Sequence, residues 1–327
     1  MPGTIMVRPT NGLCNRLRVV SSFAALARRS SRELRVCWTT SRGWSDEDLE
    51  DLFENRFARV SADEFEQACV DALCLHDGVA VDGVAGVSET WSDANADGLG
   101  AVFDTSSHAV VTYRGFRPCQ ELLAPEDRRR VLRGFDREFE AELRAWRPVR
   151  AIRDRVAQLA EAFGEEAVGV HIRRGDAVHH PRLAAEYRRS SDAAFITRMD
   201  RIVRSRPGSR FFLATDCLDT ERRFQDRYGS RILTNPDKRF VPSIAGAPKA
   251  NQHDAVVDLF ALARTHTILG SHYSTFSATA AVLGGGRLSV VLADSWLARL
   301  RRKAAYVRHD LVRRASARAH QRRTAGR

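Results

Sequence analysis

Short apolar runs rich in β-formers alternate with stretches of helical periodicity along most of the chain. Thr4 to Val7 (TIMV) is the first run; the turn-like Pro9-Thr10-Asn11-Gly12 follows, and from Asn15 to Arg29 the residues Leu17, Val20, Phe23, Ala24, Leu26 and Ala27 recur near helical spacing. Leu34 to Trp38 supplies a second strand, closing a βαβ unit that sets a parallel, right-handed arrangement. Val79–Val81 and Ala109–Tyr113 are weaker strand candidates, with Ser92–Gly100 a loop between them. Glu126 to Trp146 reads as helix, Pro148 interrupts it, and a second helix from Val149 to Phe163 runs into Gly164.

The rhythm then repeats. Strands are expected at Ala167–Ile172, Arg210–Ala214, Arg231–Leu233, Thr267–Leu269 and Leu288–Leu292. Helices are expected at Ala193–Ser205, Thr220–Tyr228, Asp254–Thr265 and Thr275–Val282, and a Pro/Gly-rich loop at Asn235–Lys249. This pattern predicts an α/β fold with two Rossmann-like domains facing a cleft, residues 1–148 and 149–295, followed by a basic segment over 296–327.

Composition changes the picture in three places. With 327 residues, 43% hydrophobic and 28% charged, the chain has material for two cores and is not a disordered polymer. The net charge of +11 suggests a nucleic-acid partner until it is located: residues 296–327 carry eleven Lys or Arg and one Asp, a net +10, so the body is nearly neutral. The segment reads as a solvated helix or tail, and aromatic residues are not interleaved with it as a single-strand binding groove requires. A nucleic-acid-binding module acting through this tail stays the alternative from a different class. Finally, Cys14, Cys37, Cys69, Cys74, Cys119 and Cys217 form no CxxC pair and no zinc-spaced block, so they read as reduced thiols. His179 and His180 are a weak zinc candidate, and no bound metal is expected. The first residues lack a secretory pattern and no run approaches the ~18 apolar residues of a membrane span, so the expected location is cytoplasmic.

Candidate chemistry sits where apolar strands end. Val168 to Asp176 (VGVHIRRGD) is a buried-type strand that ends in a charged cluster, the position where open α/β sheets bind ligands. On an extended strand His171 and Arg173 share one face, opposite Ile172 and Arg174. An arginine there can grip a diphosphate bidentately and stabilise it as a leaving group. It can equally pair with Asp176 and only hold a turn. Phe211 to Asp216 (FFLATD) ends on a hydroxyl and a carboxylate. Thr267 to Ser277 opens into a hydroxyl-rich turn before a helix, an anion site if Ser274 is not spent on N-capping.

Five segments in this order, GLCNRLR (Gly12–Arg18), HIRRGD (His171–Asp176), ATD (Ala214–Asp216), DLFAL (Asp258–Leu262) and STFS (Ser274–Ser277), resemble the superfamily of α1,2-, α1,6- and protein O-fucosyltransferases, nodulation fucosyltransferases of rhizobia included. The resemblance implies a GT-B-like fold, the first domain on the acceptor side, and inverting transfer from a GDP-sugar without a metal or other cofactor. It makes Arg173 the diphosphate ligand, His171 a contact to the guanosine part, and Asp258 the carboxylate that reads guanine. Ser274 and Thr275 would cradle the diphosphate, Asn15 would reach the sugar end, and Asp216 belongs to the same donor site. Cys14 stands where the family commonly has glycine. The base stays open: the α1,6 enzymes have a glutamate just past the arginine pair, whereas here His179, His180 and Pro181 occupy that stretch. Asp176 joins Arg173 as a catalytic candidate, and Glu186 is the first glutamate available as base. A transfer without a strong base is also open. The acceptor is a hydroxyl of unknown identity; another GDP-sugar on the same scaffold is the nearest alternative.

Overall fold

The computed structural model describes residues 4–9, 12–29, 31–40, 47–75, 109–113, 134–175, 184–242 and 248–293. In the first half these form β1 (Thr4–Pro9), α1 (Leu13–Arg29), β2 (Glu33–Val36), α2 (Leu49–Leu52), β3 (Ala58–Arg59), α3 (Ala62–Leu75), β4 (Ala109–Tyr113) and α4 (Phe135–Arg144). The second half has α5 (Arg150–Phe163), β5 (Val168–Ile172), α6 (Ala184–Arg188), α7 (Asp192–Ser205), β6 (Phe211–Thr215), α8 (Leu218–Tyr228), β7 (Ile232–Leu233), β8 (Phe240–Pro242), β9 (Pro248–Ala250), α9 (Gln252–Ala263), β10 (Thr267–Ser271), α10 (Thr275–Gly284) and β11 (Arg287–Val291).

Each half is built on a parallel sheet. The first runs β3-β2-β1-β4 and the second β11-β10-β5-β6-β7. In the second the chain lays down β5, β6 and β7 in one direction and returns to place β10 and β11 on the other side of β5. Its direction therefore reverses between β5 and β10, and at such a reversal the loops after the two strands part and leave a crevice. The first sheet reverses likewise between β1 and β4. Both crevices open at carboxyl strand ends, the edge at which the sequence pattern concentrates the chemistry.

Burial explains why β5 and β6 lack polar alternation. All five residues of each are buried, because helices cover both faces of a parallel sheet. Val170, Ile172, Phe211, Leu213, Phe195 and Met199 form the cluster on one face. Phe212 and Ala214 face the other way, into a larger cluster that also holds Ile5, Val7, Phe23 and Phe53 of the first half and Leu259, Leu262 and Ile268 of the second. Burying each such large side chain contributes about 1.5–3 kcal/mol. Phe53 ties the halves further, its ring centroid 6.4 Å from that of Phe260, and Trp146 fixes Phe53 within the first half, edge-on to it at 4.8 Å with its indole N–H donating to Ser21 Oγ at 2.8 Å.

The alternation predicts the strands of both sheets to within two residues wherever they are described, except the two-residue β3. Three differences have physical reasons. The Asn235–Lys249 loop contains an antiparallel hairpin, β8 with β9, whose prolines Pro242 and Pro248 pair with each other at its end, where a missing donor costs little. Helix α3 has no counterpart among the expected elements, although Ser61 and Glu64 form a reciprocal capping box, Ser61 N–H to Glu64 Oε2 at 2.8 Å and Glu64 N–H to Ser61 Oγ at 3.1 Å. The helix expected over Glu126–Trp146 begins, in its described part, only after Gly134, whose φ of +78° breaks it there. The strand expected at Val79–Val81, the loop Ser92–Gly100, Asp176, His179, His180 and the basic segment 296–327 lie outside the described residues.

Candidate active site

Arg173 is the first residue past β5, at the β5/β10 reversal, and the structure braces it from two strands. Its N–H donates to Ser271 Oγ at 2.9 Å, and that hydroxyl donates in turn to the His171 carbonyl at 3.2 Å. Its guanidinium Nη1 donates to Asp216 Oδ2, just past the neighbouring β6. Asp176, the alternative partner for Arg173, lies outside the described residues. Asp216 Oδ1 accepts from the Arg174 N–H at 2.7 Å, so both oxygens of the carboxylate grip the two-arginine turn. Gly175 makes the grip possible: a Cβ there would stand 2.5 Å from Asp216 Oδ2, and φ is +29°.

Arg174 does not continue the strand, so the strand-based contrast between its face and that of Arg173 is replaced by a sharper one. Its side chain folds back, donating to the Arg173 carbonyl at 2.7 Å, the Ser190 carbonyl at 2.8 Å and Asp192 Oδ1 at 2.5 Å. Arg174 thus fixes the backbone that presents Arg173.

Past the end of β10, the strand that pairs with β5, comes the first turn of α10. Ser274 is its N-cap residue, yet its hydroxyl makes no capping bond, so capping alone does not account for it. The N–H groups at a helix N-terminus lack helical partners and the dipole there favours an anion. Tyr273, just before, holds φ at +60°, a conformation unusual for a bulky residue and concentrated at functional turns. His171 joins strand to helix by stacking on Phe276, ring centroids 4.7 Å apart. Only 4% exposed, His171 has its pKa lowered to about 3, chiefly by burial and then by Arg173, Lys238 and Arg174. It is therefore neutral at working pH, and its Nδ1 has no hydrogen-bond partner among the described residues.

Asp258 lies in α9, 3% exposed. Its Oδ2 accepts from Lys238 Nζ at 2.9 Å, while Oδ1 is buried without a partner among the described residues. Burial pushes its carboxyl up to about 6, with Lys238 pulling the other way. Lys238 carries no sequence signal of its role, being one cation in a loop that also holds Asp237 and Arg239; nothing in the pattern marks it as buried. Asn15 occupies the first turn of α1, and its Oδ1 is likewise buried and unpartnered among the described residues. Beside it, burial drives the Cys14 thiol up to about 12 against Thr279 of α10 and the charges of Arg18 and Arg173. That places the first-half crevice within electrostatic reach of Arg173. Glu186 falls in α6 and Thr275 begins α10.

No protein-family description and no curated sequence matches the chain. Solved structures do. Fucosyltransferase NodZ from Bradyrhizobium superposes with a TM-score of 0.50 at 15% identity, over 86% of this chain and 94% of that one. An Arabidopsis thaliana FUT1 variant in complex with GDP gives 0.54 at 14% identity, over 88% and 70%, and POFUT1 in complex with GDP gives 0.50 at 14%, over 89% and 98%. The fold is that of these fucosyltransferases. Fold alone leaves the chemistry to the side chains, and in this fucosyltransferase-like frame the groups converging at the β5/β10 reversal are a braced guanidinium, a helix N-terminus, a neutral imidazole and a carboxylate with one open oxygen.

Proposed function

We propose that this chain is a glycosyltransferase that moves a sugar, L-fucose, from its GDP-linked form to a hydroxyl acceptor with inversion, without a metal ion. The observation that carries the reading is Arg173, braced by Asp216 and Ser271 at the end of β5, beside the strand β10 that leads into a helix N-terminus whose Ser274 hydroxyl is not spent on capping. Cationic and dipolar partners of this kind suit a diphosphate. The GDP-bound FUT1 and POFUT1 neighbours and the ordered motif resemblance agree with it.

In this mechanism the bond between the sugar's anomeric carbon and the β-phosphate oxygen breaks with its electron pair going to oxygen. Charge grows on the diphosphate, where Arg173 and the α10 N–H groups stabilise it. The acceptor hydroxyl adds from the opposite side of the oxocarbenium-like carbon, and its proton leaves to a base, with Asp176 and Glu186 as candidates, or to water. His171 and Asp258 take the guanosine end: a carboxylate oxygen accepts from guanine N1–H and the 2-amino group.

The test is transfer or donor hydrolysis over a panel of GDP-, UDP- and ADP-sugars, with and without EDTA. Activity confined to GDP-fucose, and indifferent to chelation, is expected. A preference for another GDP-sugar would correct the sugar alone, whereas restoration by manganese after EDTA would overturn the metal-free mechanism.

Asp258→Asn is expected to weaken GDP binding by about 1.5–3 kcal/mol, the worth of a charge-assisted hydrogen bond, because an amide presents donors where the base also donates. The sign of the pH effect follows. Protonation turns Asp258 from acceptor into donor, so wild-type GDP affinity falls as pH drops through about 6, a limb the asparagine variant lacks. Calorimetry at pH 5 and 7.5 checks both; equal affinities for the two proteins at pH 7.5 would remove Asp258 from the base site.

A further inference from the structure

Lys238 sits just before β8, its side chain 1% exposed, among three acceptors. Its ammonium donates to Asp258 Oδ2 at 2.9 Å, Glu221 Oε2 at 2.8 Å and the Thr215 carbonyl at 3.3 Å. Glu221 comes from α8, Thr215 from the end of β6 and Asp258 from α9, so one buried cation joins three elements behind the proposed base site. A buried lysine is costly unless its charge answers others. Here it answers two carboxylates and occupies only one oxygen of Asp258, leaving the other open and buried.

We propose that Lys238 is the positioning residue for guanine recognition: by holding Asp258 Oδ2 it keeps that carboxylate ionised and turns Oδ1 toward the nucleobase, with Glu221 setting how much of the ammonium's charge Asp258 receives. This rests on the assignment of the site to a GDP-sugar. The charges facing Asp258 are Lys238, which lowers its pKa, and Glu221 and Asp254, which raise it. Lys238 also bears on His171, which burial and the surrounding cations keep neutral. Burial works against the ammonium itself, but Asp258 and Glu221 outweigh it and hold its pKa above the ordinary value. At neutral pH the lysine is therefore charged, and so is Asp258.

Two variants must then move the acid limb of GDP binding in opposite directions. Lys238→Met removes the cation, so Asp258 ionises only at higher pH. GDP affinity at pH 7 is expected to fall about tenfold, the loss that follows when the midpoint rises by about two pH units and only about a tenth of the carboxyl stays ionised, and to recover as pH rises toward 9. Glu221→Gln removes an opposing anion, so the limb moves to lower pH and affinity at pH 5.5 rises. Titration of the nucleotide's own phosphate is common to all proteins compared and cancels. Inorganic pyrophosphate, which lacks the base, is the control: its affinity stays unchanged in both variants. Because Lys238→Met strands two buried carboxylates, the charge-balanced K238M/E221Q pair is measured as well, and is expected to bind GDP more weakly than E221Q alone. Limbs that shift together, or a pyrophosphate affinity that falls in step with GDP, would reduce Lys238 to a fold-stabilising residue. A wild-type protein that binds GDP no better than ADP or UDP would instead overturn the GDP-sugar reading and this inference with it.

Discussion

Arg173→Lys is expected to cut the turnover number by 10²- to 10³-fold while the protein still folds and still binds GDP. That loss corresponds to about 3–4 kcal/mol, the cost of removing one preorganised donor from a site where charge develops. Charge is conserved in this variant but shape is not. The guanidinium is a planar fork that can hold Asp216 with one nitrogen and offer the others to two phosphate oxygens, whereas an ammonium is a single point charge on a different stem. Since the diphosphate gains charge only as the glycosidic bond breaks, the loss falls on turnover more than on the Michaelis constant. Retention of more than about a tenth of wild-type turnover would remove Arg173 from the transition state.

Arg174 supplies the internal comparison, and its outcome differs in kind. Its guanidinium meets two carbonyls and Asp192 at once, and an ammonium cannot span all three. Each charge-assisted bond lost costs about 1.5–3 kcal/mol, and in a chain of this size each kcal/mol lowers the melting temperature by about 1–2 °C. Arg174→Lys should thus melt several degrees early, while Arg173→Lys should melt near wild type and fail in turnover.

The contrast shows what the residue pattern carries. Periods of two and 3.6 follow from local backbone geometry, so the β-α alternation, β5, β6, β10 and the helices after them are legible, and with them the strand ends where His171, Arg173, Asp216 and Ser274 stand. Strand order is not, because nothing local states that β10 returns to lie beside β5; the reversal that makes the crevice is a tertiary fact. For the same reason the local pattern offers Arg173 nearby Asp176 and is silent on Asp216, which the chain brings from the next strand. Lys238 is illegible for a different cause: its burial depends on Glu221 and Asp258, which lie far from it along the chain on either side. Pattern reading finds a charge in a loop and places it in solvent, the usual outcome that three converging acceptors reverse here.

Asp216→Asn tests whether the brace itself matters to catalysis. The asparagine keeps the shape but has one acceptor oxygen in place of two, so its amide N–H₂ must face either the Arg173 guanidinium or the Arg174 N–H, donor against donor. The arginine turn then loses its register with α10. Displacement of a reacting group by about 1 Å can cost 10²-fold, and a fall in turnover of about 10- to 100-fold is expected. Melting should drop too, since the Asp216 side chain is 12% exposed and leaves a partly buried cation with a weakened partner. The discriminating measurement is the double variant. If Asp216 acts by aiming Arg173, then once Arg173 is lysine the asparagine has little left to remove, and R173K/D216N should be about as slow as R173K alone. Losses that multiply in the double variant would mean that Asp216 serves the reaction by a route of its own, and the brace would then be incidental to it.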